Sequence, residues 1–305
     1  MSDERWKIAA LHLAESTDMS WRQIAKKIGK PRSTVSDYLR TATHGSGPRI
    51  GLLDIETSPT LAWVWRRWKE NIAPVQVEEE TIILSAAVKE LGKDSVDFLA
   101  TWMGDGEIYD DSNLTRWLHD QLSKYDILIA HNGDKFDFPI INTRMIYHGL
   151  TPPAPYKTVD TLKTLKKRFK FPSNSLNAVC GYMGIGEKLP HDGFELWKGV
   201  MHGDVECMNT MEKYNIHDVV LLEELYLRTR AWENTHPSVA ARTDASHAMC
   251  NACGSGALSP ATDKKWTTAV SSFTLHQCQE CGHWQRDRVN TIPKEKRDNL
   301  GVSVK

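Results

Sequence analysis

Two carboxylates separated by one residue, Asp54 and Glu56, end an apolar run in the segment IGLLDIETS. The apolar run predicts a buried strand, and side chains two residues apart on a strand project from the same face. Both carboxylates are therefore expected side by side on one face of a sheet. Hard divalent cations prefer oxygen ligands, so the pair predicts a metal site.

Two further acidic signals occur later in the chain. Asp137 follows the apolar segment ILIAHNG at the start of a turn into a helical pattern, a position where catalytic groups of open sheets tend to lie. Tyr214 and Asp218 lie four residues apart in the segment YNIHDVVLLEELY, which has helical periodicity. Residues four apart on a helix share one face, so the phenol and the carboxylate can enter the same pocket.

Each motif is weak alone, because an Asp after a strand is often a helix cap or a turn residue. Together, in this order and on these element types, four carboxylates and one tyrosine resemble the DEDD superfamily of 3′–5′ exonucleases in its tyrosine variety. The proofreading domains of DNA polymerases belong to the same group. The resemblance covers roughly residues 48–230, including the segment VDTL around Asp160 and the segment SLNAVCGYMGI from Ser175.

The element pattern of this region predicts an α/β fold with a mixed sheet flanked by helices. Strands are predicted at 49–56, 81–90, 95–103 and 126–131, with helices at 111–125 and after residue 137. The resemblance implies the ribonuclease H-like fold for a domain spanning 46–235. The element pattern supports an α/β core but does not select that topology alone.

The resemblance also implies a function, the hydrolysis of phosphodiester bonds by two Mg²⁺ or Mn²⁺ ions. In the family pattern Asp54 bridges both ions, while Glu56 and Asp218 complete the site that activates water. Asp137 holds the second ion through water, and Tyr214 orients the attacking water. The chain is therefore expected to be a metal-dependent 3′–5′ exonuclease whose partner is nucleic acid, with DNA as its substrate.

The chain has 305 residues, a length that predicts two or three domains. Its charged residues are distributed unevenly along the chain. Residues 1–42 hold 8 basic and 5 acidic residues, residues 43–235 hold 21 and 28, and residues 236–305 hold 9 and 6. Basic ends and an acidic middle are expected if the ends bind a polyanion and the middle binds cations. The N-terminal segment MSDERWKIAA lacks the apolar core of a signal peptide, and no run reaches membrane-spanning length, so a cytoplasmic protein without membrane contact is expected.

The N-terminal residues 1–45 predict a small all-α domain, a helix-turn-helix. Ser20 is a predicted N-cap, Ala25 allows two helices to cross closely, Gly29 takes the turn with a positive φ, and Val35 packs the second helix back. Residues 19–42 carry six Lys and Arg against one acid, which favours nucleic-acid binding. The candidate contacts are Arg32, Ser33, Thr34, Ser36 and Arg40 of the recognition helix. A three-helix protein-interaction module is the alternative.

Four cysteines in residues 240–305 predict a small zinc ribbon followed by a basic tail. Cys250 and Cys253 in CNACG pair by spacing with Cys278 and Cys281 in CQECG, a pattern that holds one structural Zn²⁺. Each pair precedes a Gly that lets backbone amides turn toward the thiolates. The segment GSGALSPATDKKW between the pairs is predicted to be a loop. Disulfides are the alternative, but an intracellular chain keeps its thiols reduced.

Three tryptophans follow the first predicted catalytic strand in the segment LAWVWRRWKE. Trp63, Trp65 and Trp68 alternate with Arg and Lys side chains, a mixture that suits the stacking of unpaired bases. Packing in a core is favoured over base stacking here, because Trp usually contributes buried area.

Two other functions remain open. Transposase- or resolvase-like endonucleases can combine a helix-turn-helix, a ribonuclease H-like core and a zinc ribbon, but they lack a DxE strand paired with a late Tyr-x-x-x-Asp. A DNA-binding regulator that keeps the nuclease fold as a scaffold is the second alternative, and the intact carboxylates disfavour it.

Overall fold

The protein is described by a computed structural model that covers residues 5–16, 19, 21–31, 35, 47–104, 107–187, 189–190, 192–243 and 247–303. The chain divides into two compact units, one formed by Arg49–Pro237 and the other by Met1–Pro48 together with Ser238–Lys305. The three predicted domain boundaries stay predictions. Within the described ranges, no helix combines the length and the apolar character needed to cross a bilayer.

Two helices begin the chain, α1 (Arg5–Ser16) and α2 (Trp21–Ile28). They are joined by a small core in which Ala10, Ile24, Ala25 and Val35 are buried. Gly29 follows α2 with a φ of 70°, and the next amide donates a hydrogen bond to the Ala25 carbonyl at 3.2 Å. The turn therefore uses the conformational freedom of glycine as predicted. Ser20, the predicted N-cap, lies outside the described residues.

A five-stranded mixed sheet forms the centre of the larger unit, as predicted. The strands of this unit are β1 (Ile50–Thr57), β2 (Leu61–Ala62), β3 (Val77–Glu79), β4 (Ile83–Glu90), β5 (Val96–Ala100), β6 (Ile127–Ala130) and β7 (Lys157–Asp160). The order in the central sheet is β5-β4-β1-β6-β7. The pairs β1–β4 and β4–β5 are antiparallel, whereas β1–β6 and β6–β7 are parallel. β7 was not among the predicted strands, because four residues are too few to show the alternation of apolar and polar side chains that identifies a strand.

Helices cover both faces of this sheet. They are α3 (Ser112–Leu122), α4 (Asp137–Tyr147), α5 (Thr161–Arg168), α6 (Leu176–Tyr182), α7 (Phe194–Met201) and α8 (Val205–Thr229). Leu53 and Ile55 of β1 pack against Leu118 of α3 and Ile141 of α4 in one apolar core. The long helix α8 contacts β1 and β4. The alternation along β1 thus assigns Leu53 and Ile55 to one face and the two carboxylates to the other.

The two short strands β2 and β3 form a separate antiparallel pair that encloses residues 63–76. Trp63, Trp65 and Trp68 are 73%, 92% and 82% exposed in this segment. The prediction that they pack in a core is therefore wrong. No apolar layer formed by the described residues of this unit covers the three rings.

The C-terminal segment contains a second sheet of three strands, β8 (Leu258–Thr267), β9 (Ser272–Cys278) and β10 (Trp284–Arg286), followed by α9 (Lys294–Asp298). The order is β10-β9-β8. The segment between the cysteine pairs was predicted to be a loop, and this prediction is wrong because most of the segment forms β8. The register between β8 and β9 shifts between Pro260 and Lys265. A bulge there accommodates the unpaired residues of β8 while the strand continues. This strand is mostly exposed and lacks an alternating apolar pattern.

Candidate metal centre

Asp54 and Glu56 lie on the central strand of the five-stranded sheet. β1 runs between β4 and β6, and Asp54 and Glu56 pair with Ala87 and Ser85 of β4. Both carboxylates are half-buried. The side chains project from the face opposite to Leu53 and Ile55, as the two-residue spacing predicts.

The helix α8 adds a third carboxylate to this face. The carboxylate oxygens of Asp54, Glu56 and Asp218 lie within 4.8 Å of one another, and Asp218 is only 2% exposed. Three carboxylates this close repel one another, and a cation between them removes that repulsion. The donor set consists of hard oxygen ligands, so it fits Mg²⁺ or Mn²⁺.

A buried amide orients one of these carboxylates. Asn215 of α8 is fully buried, and its Nδ2 donates to Oδ2 of Asp54 at 2.6 Å and to the Asp54 carbonyl at 3.3 Å. The hydroxyl of Ser85 donates to Oδ1 of Asn215 at 3.0 Å, which fixes the orientation of the amide. The side chain of Asp54 is therefore held in place from α8 and β4. Asn215 was not among the predicted site residues, although it lies three residues before Asp218 and therefore on the same face of α8.

Asp137 contacts the same strand but lies outside the group of three carboxylates. It is the first residue of α4 and is 3% exposed, and its Oδ1 accepts a hydrogen bond from the Ile55 amide at 3.2 Å. β1 pairs with β6 only up to Leu52, so the Ile55 amide lies beyond that ladder. Burial raises the pKa of Asp137 to about 7, and the nearby Asp160 carboxylate adds to this shift.

Tyr214 lies one helical turn before Asp218 on α8 and is buried. Its ring packs edge-on against Trp197 of α7, with the ring centroids 6.3 Å apart. The four-residue spacing puts Tyr214 and Asp218 on the same side of α8, as the periodicity predicts.

A cleft of about 650 Å³ opens beside the carboxylates, with Asp54 and Asp218 in its wall. The other lining residues are His131, Asn132, Leu162, Lys166, Pro172, Ser173, Asn174, Ser175 and Leu176. The ring of His131 lies 2.9 Å from Thr161 Oγ1 and 3.0 Å from the Asn174 carbonyl. This ring therefore connects the end of β6 to the start of α5 and to the loop before α6.

These other lining residues were not among the predicted site residues. A signal for His131 and Asn132 was present, because both follow β6 directly and polar residues at the carboxyl end of a parallel strand often line a ligand site. Asp160 is the last residue of β7, and its Oδ1 accepts the Asn132 amide at 3.0 Å. It also caps α5 by accepting the amides of Leu162 and Lys163.

The four C-terminal cysteines form a second cluster, in which all four Sγ atoms lie within 4.8 Å of one another. Cys250 and Cys281 are 3.7 Å apart, and Cys253 and Cys278 are 3.6 Å apart. Ligands about 2.3 Å from a tetrahedral zinc ion are separated by roughly 3.8 Å, so the cluster fits Zn²⁺. All four cysteines are free.

Backbone amides turn toward these thiols, as the glycine positions predict. Gly254 and Gly282 follow the two pairs with φ values of 76° and 81°. Burial raises the pKa of Cys278, but amide hydrogen bonds from Cys281 and Glu280 outweigh it and lower the pKa to about 7. The thiolate form, which binds metal, is thereby favoured at this position.

The five predicted contacts of the recognition helix, Arg32, Ser33, Thr34, Ser36 and Arg40, lie outside the described residues. The neighbouring Val35 is described and is buried.

Comparisons with known proteins agree with this architecture. Residues 74–229 match the model of a family described as RNase_H superfamily, and residues 1–49 match a model described as Homeodomain-like domain. A curated relative, the DNA polymerase III PolC-type of Ureaplasma parvum serovar 3, is 30% identical over 110 residues. That match covers 36% of this chain and 7% of the polymerase.

Among solved structures, the family B DNA polymerase of the hyperthermophilic archaeon Pyrobaculum calidifontis is similar with a TM-score of 0.45. The sequences are 17% identical, and the match covers 60% of this chain and 25% of the polymerase.

Proposed function

Since the chain belongs to the RNase_H superfamily, we propose that it is a metal-dependent 3′–5′ exonuclease that hydrolyses the phosphodiester bonds of DNA. The observation that carries this proposal is the convergence of Asp54, Glu56 and Asp218 within 4.8 Å on one face of the central sheet. A structural role does not require three carboxylates to lie this close in one place.

The proposed cofactors are two Mg²⁺ or Mn²⁺ ions held by Asp54, Glu56, Asp137 and Asp218. Such ions supply a hydroxide at neutral pH and stabilise the attacking and leaving oxygens of the phosphodiester. Asp54 would hold both ions, which agrees with its place on the central strand and with the orientation that Asn215 gives its carboxylate. Asp137 is the proposed ligand of the second ion through water, since it lies outside the group of three.

The protein's own groups position the reaction. Asn215 holds Asp54 in one orientation, so its carboxylate is aligned before substrate arrives. The proposed role of Tyr214 is to orient the attacking water with its phenol. The cleft beside Asp54 and Asp218 offers Lys166 for a phosphate and the polar residues Ser173–Ser175 for the rest of a nucleotide.

The terminal segments are proposed to deliver nucleic acid to this site. The N-terminal region is proposed to bind DNA through its recognition helix. The cysteine cluster is proposed to hold one structural Zn²⁺ that orders the C-terminal segment. The six cysteines are thiols and not disulfides, which agrees with a cytoplasmic protein.

The proposal is tested with the purified protein and a 5′-labelled single-stranded DNA in Mn²⁺. An exonuclease that starts at the 3′ end produces a ladder of successively shorter labelled strands, and a duplex and an RNA of the same sequence define the substrate. Asp54→Asn and Asp218→Asn are expected to lower the rate at least about 100-fold, because each removes a proposed metal ligand.

Asp120→Asn is the matched control, since Asp120 is an exposed carboxylate on α3. It is expected to keep the wild-type rate. Internal fragments from the start of the reaction would indicate an endonuclease instead. Binding without any cleavage by the wild-type protein would indicate a regulator and contradict the proposal.

A further inference from the structure

The segment 63–69 of the β2–β3 hairpin combines aromatic and basic side chains without any acidic one. It contains Trp63, Trp65 and Trp68, and the cations are Arg66, Arg67 and Lys69. This composition stands out in a region, residues 43–235, where 28 acidic residues outnumber 21 basic ones. A local excess of positive charge on an acidic unit favours a negatively charged partner.

The three rings expose a large apolar surface. A Trp side chain offers about 150–250 Å², so the three exposed rings present roughly 500 Å² to solvent. This summed area is similar to the largest apolar patch of a typical soluble monomer, about 300–600 Å², and such a patch is often functional. The guanidinium of Arg66 lies 3.2 Å from Glu70 on the same surface, and the side chain of Arg66 is still 78% exposed.

The base of the segment is anchored by hydrogen bonds. The amide of Trp63 donates to the Gln76 carbonyl at 2.8 Å, and Gln76 Nε2 donates back to the Trp63 carbonyl at 2.9 Å. Gln76 Oε1 also accepts the amide of Ala73 at 2.9 Å. One side chain thus closes the loop, so the tryptophans are presented from a fixed base.

This base is close to the metal centre along the chain. Ser58, two residues after Glu56, exchanges two hydrogen bonds of 3.0 Å with Ile82 at the end of the sheet. Trp63 follows Glu56 by seven residues, which an extended chain spans in at most about 25 Å. A strand of several nucleotides can cover that distance, so one molecule can contact both places.

We propose that residues 63–69 form a binding surface for an unpaired nucleic-acid strand, whose bases stack on the tryptophans and whose phosphates contact the cations. Stacking on Trp and Arg suits any base and requires that the base be unpaired. This inference extends the proposed nuclease function, because the surface would hold the single strand from which the metal centre removes nucleotides.

The test measures the affinity of the full-length protein for a fluorescein-labelled 15-residue oligothymidylate by anisotropy, with no Mg²⁺ or Mn²⁺ added. Trp65→Ala and Trp68→Ala are each expected to weaken binding about 5- to 150-fold, the range for loss of one stacked base. Trp65→Phe keeps a stacking face and is expected to retain most of the affinity. Affinity for a 15-base-pair duplex is expected to stay unchanged in every variant.

Two controls separate stacking from general apolar contact. Trp65→Leu keeps apolar bulk without a π face, so it is expected to behave like Trp65→Ala. Val75→Ala removes a 93% exposed apolar side chain from the same loop and is expected to change nothing. Equal affinity of Trp65→Leu and the wild type, or no effect of either Ala variant, would overturn the proposal and favour a protein partner for this surface.

Failure of the nuclease function is distinguishable from failure of this inference. The p-nitrophenyl ester of thymidine 5′-phosphate is too short to reach the hairpin, so its hydrolysis reports the metal centre alone. The wild-type protein is expected to hydrolyse this ester in Mn²⁺. A wild-type protein that binds the oligonucleotide through the tryptophans without cleaving either substrate would contradict only the nuclease function.

Discussion

The side-chain amide of Asn215 donates a hydrogen bond to Oδ2 of Asp54 over 2.6 Å. This bond joins the central strand to the long helix that also carries Asp218, and it occupies one oxygen of Asp54. The bond thereby orients a carboxylate that lies within 4.8 Å of those of Glu56 and Asp218.

Replacing Asn215 with Ala is expected to raise the Mn²⁺ concentration for half-maximal activity about 10- to 100-fold, the usual effect of losing a partner of a metal ligand. Asn209→Ala is the matched control, because Asn209 is an exposed residue of the same helix. The measurement is a Mn²⁺ titration of cleavage, with thermal unfolding as a check of the fold. A variant with reduced stability and an unchanged Mn²⁺ requirement would contradict the orienting role.

The cysteine cluster predicts about one zinc per chain in protein purified without chelator. Cys278→Ser is expected to lose that zinc and to loosen β8–β10 while the larger unit stays folded, which metal analysis and hydrogen exchange measure. Cys207→Ser is the control, because Cys207 is half-buried far from the cluster in sequence and belongs to the larger unit. Protein with four reduced cysteines and no bound zinc would refute the metal assignment.

The sequence predicted which acidic side chains share a face of β1 and of α8, because these spacings are local. The spacing of Asp54 and Glu56 on a strand, and of Tyr214 and Asp218 on a helix, determines which side chains share a face. The same periodicities predicted the positions of the main strands and helices. The resemblance to a known family then supplied the topology, which periodicity does not encode.

Contacts between distant elements were not predictable in this way. The bond from Asn215 to Asp54 joins residues 161 positions apart. The raised pKa of Asp137 depends on burial that only the packed structure defines. Burial was also predicted wrongly for Trp63, Trp65 and Trp68, which are exposed. A tryptophan is buried only where another element covers it, and the sequence does not show which element does.

The raised pKa of Asp137 predicts a pH dependence of stability in protein to which no Mg²⁺ or Mn²⁺ is added. The folded-state pKa is about 7 and the ordinary value is 3.8, so the folded state favours the protonated form. This contribution to stability is fully present below about pH 4 and is lost as the pH rises through 7. The loss is at most about 4 kcal/mol in the free energy of unfolding.

Asp137→Asn removes this ionisation, so its free energy of unfolding between pH 5 and 8 is expected to decline less steeply than that of the wild type. Denaturant unfolding at several pH values provides the comparison. Added Mn²⁺ is expected to reduce the wild-type decline, since a bound cation stabilises the ionised carboxylate. Parallel curves for both proteins would show that Asp137 does not titrate in this range.

The N-terminal region is expected to contribute to DNA binding but not to the cleavage step. Deleting residues 1–45 is expected to weaken duplex DNA binding and to reduce its salt dependence, because basic residues that are proposed to contact phosphates are lost. Cleavage of a short single strand at saturating concentration is expected to remain nearly unchanged, because the metal ligands lie outside the deletion. A folded deletion variant without activity on any substrate would place the N-terminal helices in the active site.

Lys166 lines the cleft beside Asp54 and Asp218, whereas its neighbour Lys167 on α5 does not. If Lys166 contacts a substrate phosphate, Lys166→Gln is expected to raise KM for a single-stranded oligonucleotide several-fold with little change in kcat. The reason is that the same ionic contact is lost from the ground state and from the transition state. The slope of log KM against log salt concentration is expected to fall by about 0.7, the value for one phosphate contact on a single strand. Lys167→Gln has the same net charge and serves as the control, so equal effects of the two substitutions would mean that only the overall charge of α5 matters.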